Sequence, residues 1–278
     1  MQEKTLYVSD LDGTLLRKDQ TLSRYTVDTV NRLVGEGLTF SYATARSYAT
    51  SSLVTAGLDA NFPVIVYNGT FILENGTGKK LLSHYFAMEE AREVLQILLD
   101  CGIVPIVYSF VDEKEKYFYC PTLINDVTES FLNIRRGDGR DVAVDGIEEL
   151  CRGDVFHFSC IGDEDVMRAG YDRLKDRFSC VHYKEIYSGD WWLEVHPAGV
   201  SKAKAALELK RIMGCDRLVC FGDGKNDISI FEVADEGYAV ANAVPELKEI
   251  ATAVIGGNNE DGVARWLEGR EGMRFPPF

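Results

Sequence analysis

Two carboxylates one residue apart, Asp10 and Asp12, end the apolar run in YVSDLDGTLL, residues 7–16. Like charges this close repel, so the pair either decorates a solvated turn or faces something cationic. Three other segments carry polar residues where a strand would hand over to a helix. They are Thr44-Ala45-Arg46, Ser201-Lys202, and GDGKND at 222–227, which holds Asp223, Asn226 and Asp227. Taken singly, most have an ordinary reading: the acid pair suits a turn, Arg46 a surface base, and an Asp at a helix start caps it. Lys202 fits less easily, because it falls in the first turn of a helix, where the macrodipole disfavours cations. A cation there, beside free backbone N–H groups, makes an anion site. Arg46, just ahead of another helix, repeats the misplacement. Acids that converge suit a hard divalent cation, and Mg²⁺ prefers a few carboxylates together with water and phosphate. The cations and helix starts would take the phosphate's remaining oxygens.

The elements needed to bring these residues together are legible as strands alternating with helices. TLYVS reads as a strand, and a helix follows from Ser23 with Val27, Val30, Leu33 and Val34 at helical spacing. LTFSYATA, SYATSSLVTAG and PVIVYNG continue as strand, helix and buried strand, and Asn75-Gly76 marks a hairpin. From about Met88 the texture changes to a mixed α+β block. It contains the helix MEEAREVLQILLDCG, several aromatic strands, and a polar loop at 135–146. The alternation then resumes with SKAKAALELKRIM, RLVCFG, NDISIFEVA, GYAVA, a helix opening at Pro245, TAVIGG and DGVARWLEG. Such alternation predicts an α/β fold with a Rossmann-like parallel sheet. The expected division is core 1–84, inserted domain 85–188, and core again 189–278. Ligands of open parallel sheets bind at strand C-terminal ends, where all four polar segments fall.

A chain of 278 residues, 46% hydrophobic, can bury a large core, and its formal net charge of −14 argues against nucleic acid or an anionic membrane as partner. Seven cysteines without metal-like spacing suit reduced thiols. The first residues run into a strand with no signal-peptide pattern, and no apolar run reaches membrane-spanning length. A cytoplasmic location is the expectation; oligomeric state is not readable.

DLDGTLL with both aspartates, ATAR, GVSK with its lysine, and GDGKND resemble, in order, the four motifs of the haloacid dehalogenase superfamily. The insertion between the second and third resembles the C2B cap class of Cof-type phosphatases. ANAVPELKEIA and NEDGVARWL resemble that subfamily's tail. Ala45 stands where the second motif usually has glycine. The resemblance implies a Mg²⁺-dependent phosphomonoesterase of small phosphorylated metabolites, such as a sugar phosphate or a nucleotide or cofactor phosphate. Asp10 would be the nucleophile and Asp12 the acid and base. Asp10, the Asp12 carbonyl and Asp223 would hold the metal. Thr44, Lys202 and Asn226, with backbone N–H groups near Leu11 and Ala45, would hold the phosphoryl group. Asp227 and Arg46 would support them. A phosphomutase on the same scaffold and a non-catalytic phosphometabolite-binding module are the alternatives.

In the insert, Tyr108, Phe110, Tyr117, Tyr119, Phe156, Phe158, Tyr183 and Tyr187 read as sheet packing, and His157 and His182 as packing or surface. NGTGKK at 75–80 falls short of a P-loop, because Leu73 takes the place of its first glycine.

Overall fold

The computed structural model describes residues 3–59, 62–185 and 188–270, so Tyr187 lies outside the described residues. The chain opens with β1 (Thr5–Ser9), α1 (Arg24–Gly35), β2 (Thr39–Tyr42), α2 (Tyr48–Val54), β3 (Pro63–Val66), β4 (Phe71–Glu74) and β5 (Lys80–Ser83). It continues with α3 (Met88–Asp100), β6 (Ile106–Val111), β7 (Lys114–Tyr119), α4 (Asp126–Ile134), β8 (Asp141–Ala143), β9 (Asp154–Gly162), α5 (Glu164–Leu174), β10 (Ser179–Lys184) and β11 (Trp191–His196). The last elements are α6 (Lys202–Ile212), β12 (Arg217–Gly222), α7 (Ile228–Val233), β13 (Glu236–Val240), α8 (Pro245–Ile250), β14 (Ala253–Ile255) and α9 (Gly262–Gly269). They form two compact units, one of residues up to Ser83 and from Ser201 on, the other His84–Val200.

The first unit is an α/β fold around a parallel sheet in the order β14-β13-β12-β1-β2. Leu6, Val8, Leu218 and Val219 are buried, as expected for strands covered on both faces. Polar caps start the helices: Ser23 Oγ accepts from Thr26 N at 2.9 Å, and Ser47 Oγ from Thr50 N at 3.1 Å. β3 touches this sheet through one parallel bridge, Ala43 to Ile65, and then pairs with β4 and β5 in a short antiparallel sheet. β1 lies between β2 and β12, so the connections leave it in opposite directions. A crevice must open at its C-terminal end.

The second unit is a six-stranded sheet, β10-β11-β9-β6-β7-β8, antiparallel except for β7 with β8. Val94 and Leu98 from α3 and Met167 and Leu174 from α5 share a core with Val107, Phe158, Leu193 and Val195. The boundary expected at 188 is too early. Trp191–His196 pairs with both β10 and β9, and its alternate residues Leu193 and Val195 are fully buried in this core. The chain leaves the unit only after Val200. Within the stretch expected to be a loop, 135–146, three residues form β8 beside β7. A strand that short leaves no period to detect. The aromatics do pack: Tyr108 against Tyr117 at 5.3 Å, Phe110 against Phe156 at 5.4 Å, and Phe158 against Phe86 at 5.3 Å.

His157 is buried, stacked on His196 with ring centroids 4.6 Å apart. Burial, reinforced by the neighbouring His196, holds it well below the usual imidazole pKa of 6.5. Just below that pH the unfolded chain binds a proton that the folded chain refuses. The His157 contribution to stability is therefore fully present above about pH 6.5 and is lost below it by up to about 1.4 kcal/mol per pH unit. The unfolding free energy of His157→Gln relative to wild type, measured in denaturant at both pH values, should rise by up to about 1.4 kcal/mol between pH 6.5 and 5.5.

Candidate active site

The four polar segments meet at the C-terminal ends of β1 and β12. Asp10 N donates to Phe221 O at 2.9 Å, which carries the β1–β12 pairing one residue past the strand. The chain then coils into a wide turn, Leu11–Leu15, in which Leu16 N donates to Leu11 O at 2.8 Å. Gly13 interrupts the turn with φ +77°. A side chain there would be doubly excluded, since a Cβ would lie 2.2 Å from Asp223 Oδ2. The turn sends the two acids in different directions. Asp10 is buried, whereas Asp12 is partly exposed and held by Arg46, whose Nε and Nη2 donate to its two oxygens at 2.7 and 2.5 Å. Arg46 Nη2 also donates to Gln20 Oε1 at 2.8 Å.

Lys202, the first residue of α6, is 2% exposed. Its ammonium donates to Asp10 Oδ1 at 2.5 Å and to Asp227 Oδ1 at 2.7 Å. Asp227 is itself spoken for: Oδ2 accepts from Asp223 N and Gly224 N, both at 3.0 Å. Asp223 receives the Thr14 hydroxyl at 3.0 Å. Among the described residues, Asp10, Asp223 and Asp227 bring carboxylate oxygens within 4.8 Å of one another.

Burial lifts the Asp10 carboxyl well above the usual range against the pull of Lys202, and the Asp227, Asp223 and Asp12 charges add to the rise. Asp223 rises to about 7, through burial first and then Asp227, against the Thr14 hydrogen bond and Lys202. Burial alone would lower Lys202, but Asp10 and Asp227 raise it above its ordinary value. The lysine stays charged. Three carboxylates facing one ammonium leave an excess of two negative charges when ionised, which a divalent cation would cancel. The all-oxygen donor set and that charge fit Mg²⁺. With both oxygens of Asp227 engaged, Asp10 and Asp223 are the side chains left to hold it.

The structure brings the other expected residues to the same edge. Thr44 is buried, with Oγ1 accepting from Arg46 N at 3.1 Å, and Leu11 is fully buried behind Asp10. Ala45 lacks a positive φ, so this position has no need of glycine. Asn226 is half-buried in the loop between Asp223 and Asp227. Sequence reasoning missed Thr14, Asn242 and Asn258. Asn242 Nδ2 donates to Gly13 O at 2.7 Å, and Asn258 Nδ2 to Leu16 O at 2.9 Å. The available signal was position, since each asparagine closely follows the end of a parallel strand.

Lys202→Met would leave Asp10 and Asp227 buried without their shared cation, at a cost of about 3–5 kcal/mol. Denaturant unfolding in EDTA should show that loss, and added Mg²⁺ should recover part of it. Gly13→Ala should weaken metal binding about tenfold or more by displacing Asp223, readable by titration with Mn²⁺.

Residues 7–267 match the haloacid dehalogenase-like hydrolase family. Two proteins of Bacillus subtilis, each named a 5-amino-6-(5-phospho-D-ribitylamino)uracil phosphatase, are 26% and 29% identical to this chain. The first comparison covers 95% of this chain and 96% of that protein, the second 93% and 95%. A solved haloacid dehalogenase-like hydrolase from Bacteroides thetaiotaomicron shares the fold, with a TM-score of 0.77 at 23% identity, over 96% of this chain and 99% of that one. The family match takes in the strand before Asp10, the whole insertion and the segment after Asp261, so this chain belongs to the haloacid dehalogenase-like hydrolases.

Proposed function

We propose that this chain is a Mg²⁺-dependent phosphomonoesterase that hydrolyses a small phosphorylated metabolite through a phosphoryl group carried on Asp10. The observation that carries this reading is the buried Asp10 carboxylate, bonded to Lys202 at 2.5 Å and within 4.8 Å of the oxygens of Asp223 and Asp227. The names of the two Bacillus subtilis relatives, phosphatases of a phosphorylated ribityl compound, support a phosphorylated small molecule as substrate.

Asp10 attacks phosphorus, forming an acyl phosphate as the bond to the leaving oxygen breaks. Asp12, two residues along and outside the buried cluster, supplies a proton to the leaving alkoxide. It then takes one from the water that hydrolyses the acyl phosphate. In the resting structure Arg46 occupies both Asp12 oxygens. An incoming anionic phosphoryl group would give that guanidinium a second partner and free the acid. Lys202 orients Asp10 and balances charge on the phosphoryl oxygens. Thr44 Oγ1 accepts from Arg46 N, which leaves its own proton to donate to an anion. Asn226 and the backbone N–H groups near Leu11 and Ala45 take the remaining oxygens. Mg²⁺, held by Asp10, the Asp12 carbonyl and Asp223, would neutralise charge that develops on the transferring group.

Phosphate release from a panel of sugar, nucleotide and cofactor phosphates should appear with Mg²⁺ and vanish in EDTA. Asp10→Asn should lower turnover on the order of a thousandfold or more while its melting temperature shows an intact fold. Wild-type turnover in that variant would overturn the assignment.

A further inference from the structure

One short segment after β13 holds both sides of the acidic cluster. Asn242 Nδ2 donates to Gly13 O at 2.7 Å, in the turn that follows Asp10 and carries Asp12. Two residues on, Val244 N donates to Asp223 O at 2.8 Å. Gly13 and the Asp223 carboxylate are already in such close approach that no Cβ fits between them. The Asn242–Val244 segment therefore spans from the Gly13 carbonyl to the Asp223 carbonyl, one hydrogen bond to each.

The orientation of the Asn242 amide is determined by its partners. Gly13 offers a carbonyl, which only the NH₂ can meet, and Asn258 offers a backbone N–H, which meets Asn242 Oδ1 at 3.0 Å. Asn258 is buried, and its own Nδ2 reaches back to Leu16 O at the far end of the same turn. Gly13 and Leu16 are thus held by two asparagines that also bond to each other.

We propose that Asn242 is a positioning residue for the reaction. Through the Gly13 carbonyl, with Val244 N on Asp223 and Asn258 orienting the amide, it sets the separation between the turn bearing Asp10 and Asp12 and the loop bearing Asp223. This rests on the proposed phosphatase reading, in which those residues hold Mg²⁺ and move the phosphoryl group. Asn242 touches neither the carboxylates nor a reacting atom in its assigned contacts, so its effect passes through the backbone of the turn. Asn242 is an exposed residue, so removing its side chain opens no internal cavity.

The test compares wild type, Asn242→Ala, Asn242→Asp and Asn258→Ala with Val30→Ala, a core truncation in α1. Asn242→Asp keeps the acceptor for Asn258 N but has no donor for Gly13 O. Each protein is measured for melting temperature, for Mn²⁺ affinity by direct titration without substrate, and for kcat and KM at saturating Mg²⁺. Both Asn242 variants should bind Mn²⁺ about 10- to 100-fold more weakly and lose kcat by a similar factor, with KM within about twofold of wild type. Asn258→Ala should act in the same direction with a smaller effect, whereas Val30→Ala should lower the melting temperature and leave kcat and Mn²⁺ affinity as in wild type. Asn242 variants with wild-type kcat and Mn²⁺ affinity, whatever their melting temperatures, would overturn the inference. Should Asn242→Ala fail to fold, Asn242→Asp and Asn258→Ala decide on the same readouts. A wild type that neither binds Mn²⁺ nor releases phosphate would instead refute the functional reading on which the inference rests.

Discussion

A single buried ammonium organises the acidic edge of the first unit. Lys202 lies at a helix start, where the backbone repels it, and in an interior that would strip its proton. Asp10 and Asp227, each bonded to the ammonium, offset both penalties. The contact joins the end of β1, the start of α6 and the loop after β12, so no one of these segments can shift alone. The glycine loop serves the same end, because two backbone N–H groups hold Asp227 in place for the lysine.

The wide turn after Asp10 adds a second constraint. It separates two acids that are next-but-one in the chain into different surroundings, one dry and bonded to an ammonium, the other partly solvated and bonded to a guanidinium. Adjacent carboxyl groups with unlike environments can carry unlike protonation states, as the proposed division into nucleophile and proton carrier requires. Gly13 makes the turn possible, and it also lets Asp223 approach where any side chain would block it.

Much of this was legible from the residues alone. Strand–helix alternation predicts the parallel sheet, and polar residues at strand ends and helix starts single out Asp10, Thr44, Lys202 and Asp223 as candidates. Periodicity and end effects suffice where a segment is long or its chemistry is out of place, as with a lysine in a first helical turn. They fail where the deciding partner is distant in the chain. Trp191–His196 reads equally well as a lead-in to Lys202, and only its pairing with β10 and β9 assigns it to the second unit. Asn242 and Asn258 look like ordinary loop asparagines until the turn at 13–16 is seen folded against them. β8 is too short to carry a pattern of its own.

The order in which these partners occur along the chain has a consequence for synthesis. The turn at 10–17 is held by Arg46, Lys202, Asp223, Asn242, Asn258 and Asp261, so its last partners come within the final tenth of the chain. The second unit, whose pairings all lie within 84–200, is complete before most of them have been made. On the ribosome Asp10 must therefore wait for Lys202 while the whole second unit is synthesised and can fold. Long-range closure of this kind is slow and comes last. A nascent chain of this protein would thus hold a finished insert well before it could hold the assembled acidic cluster.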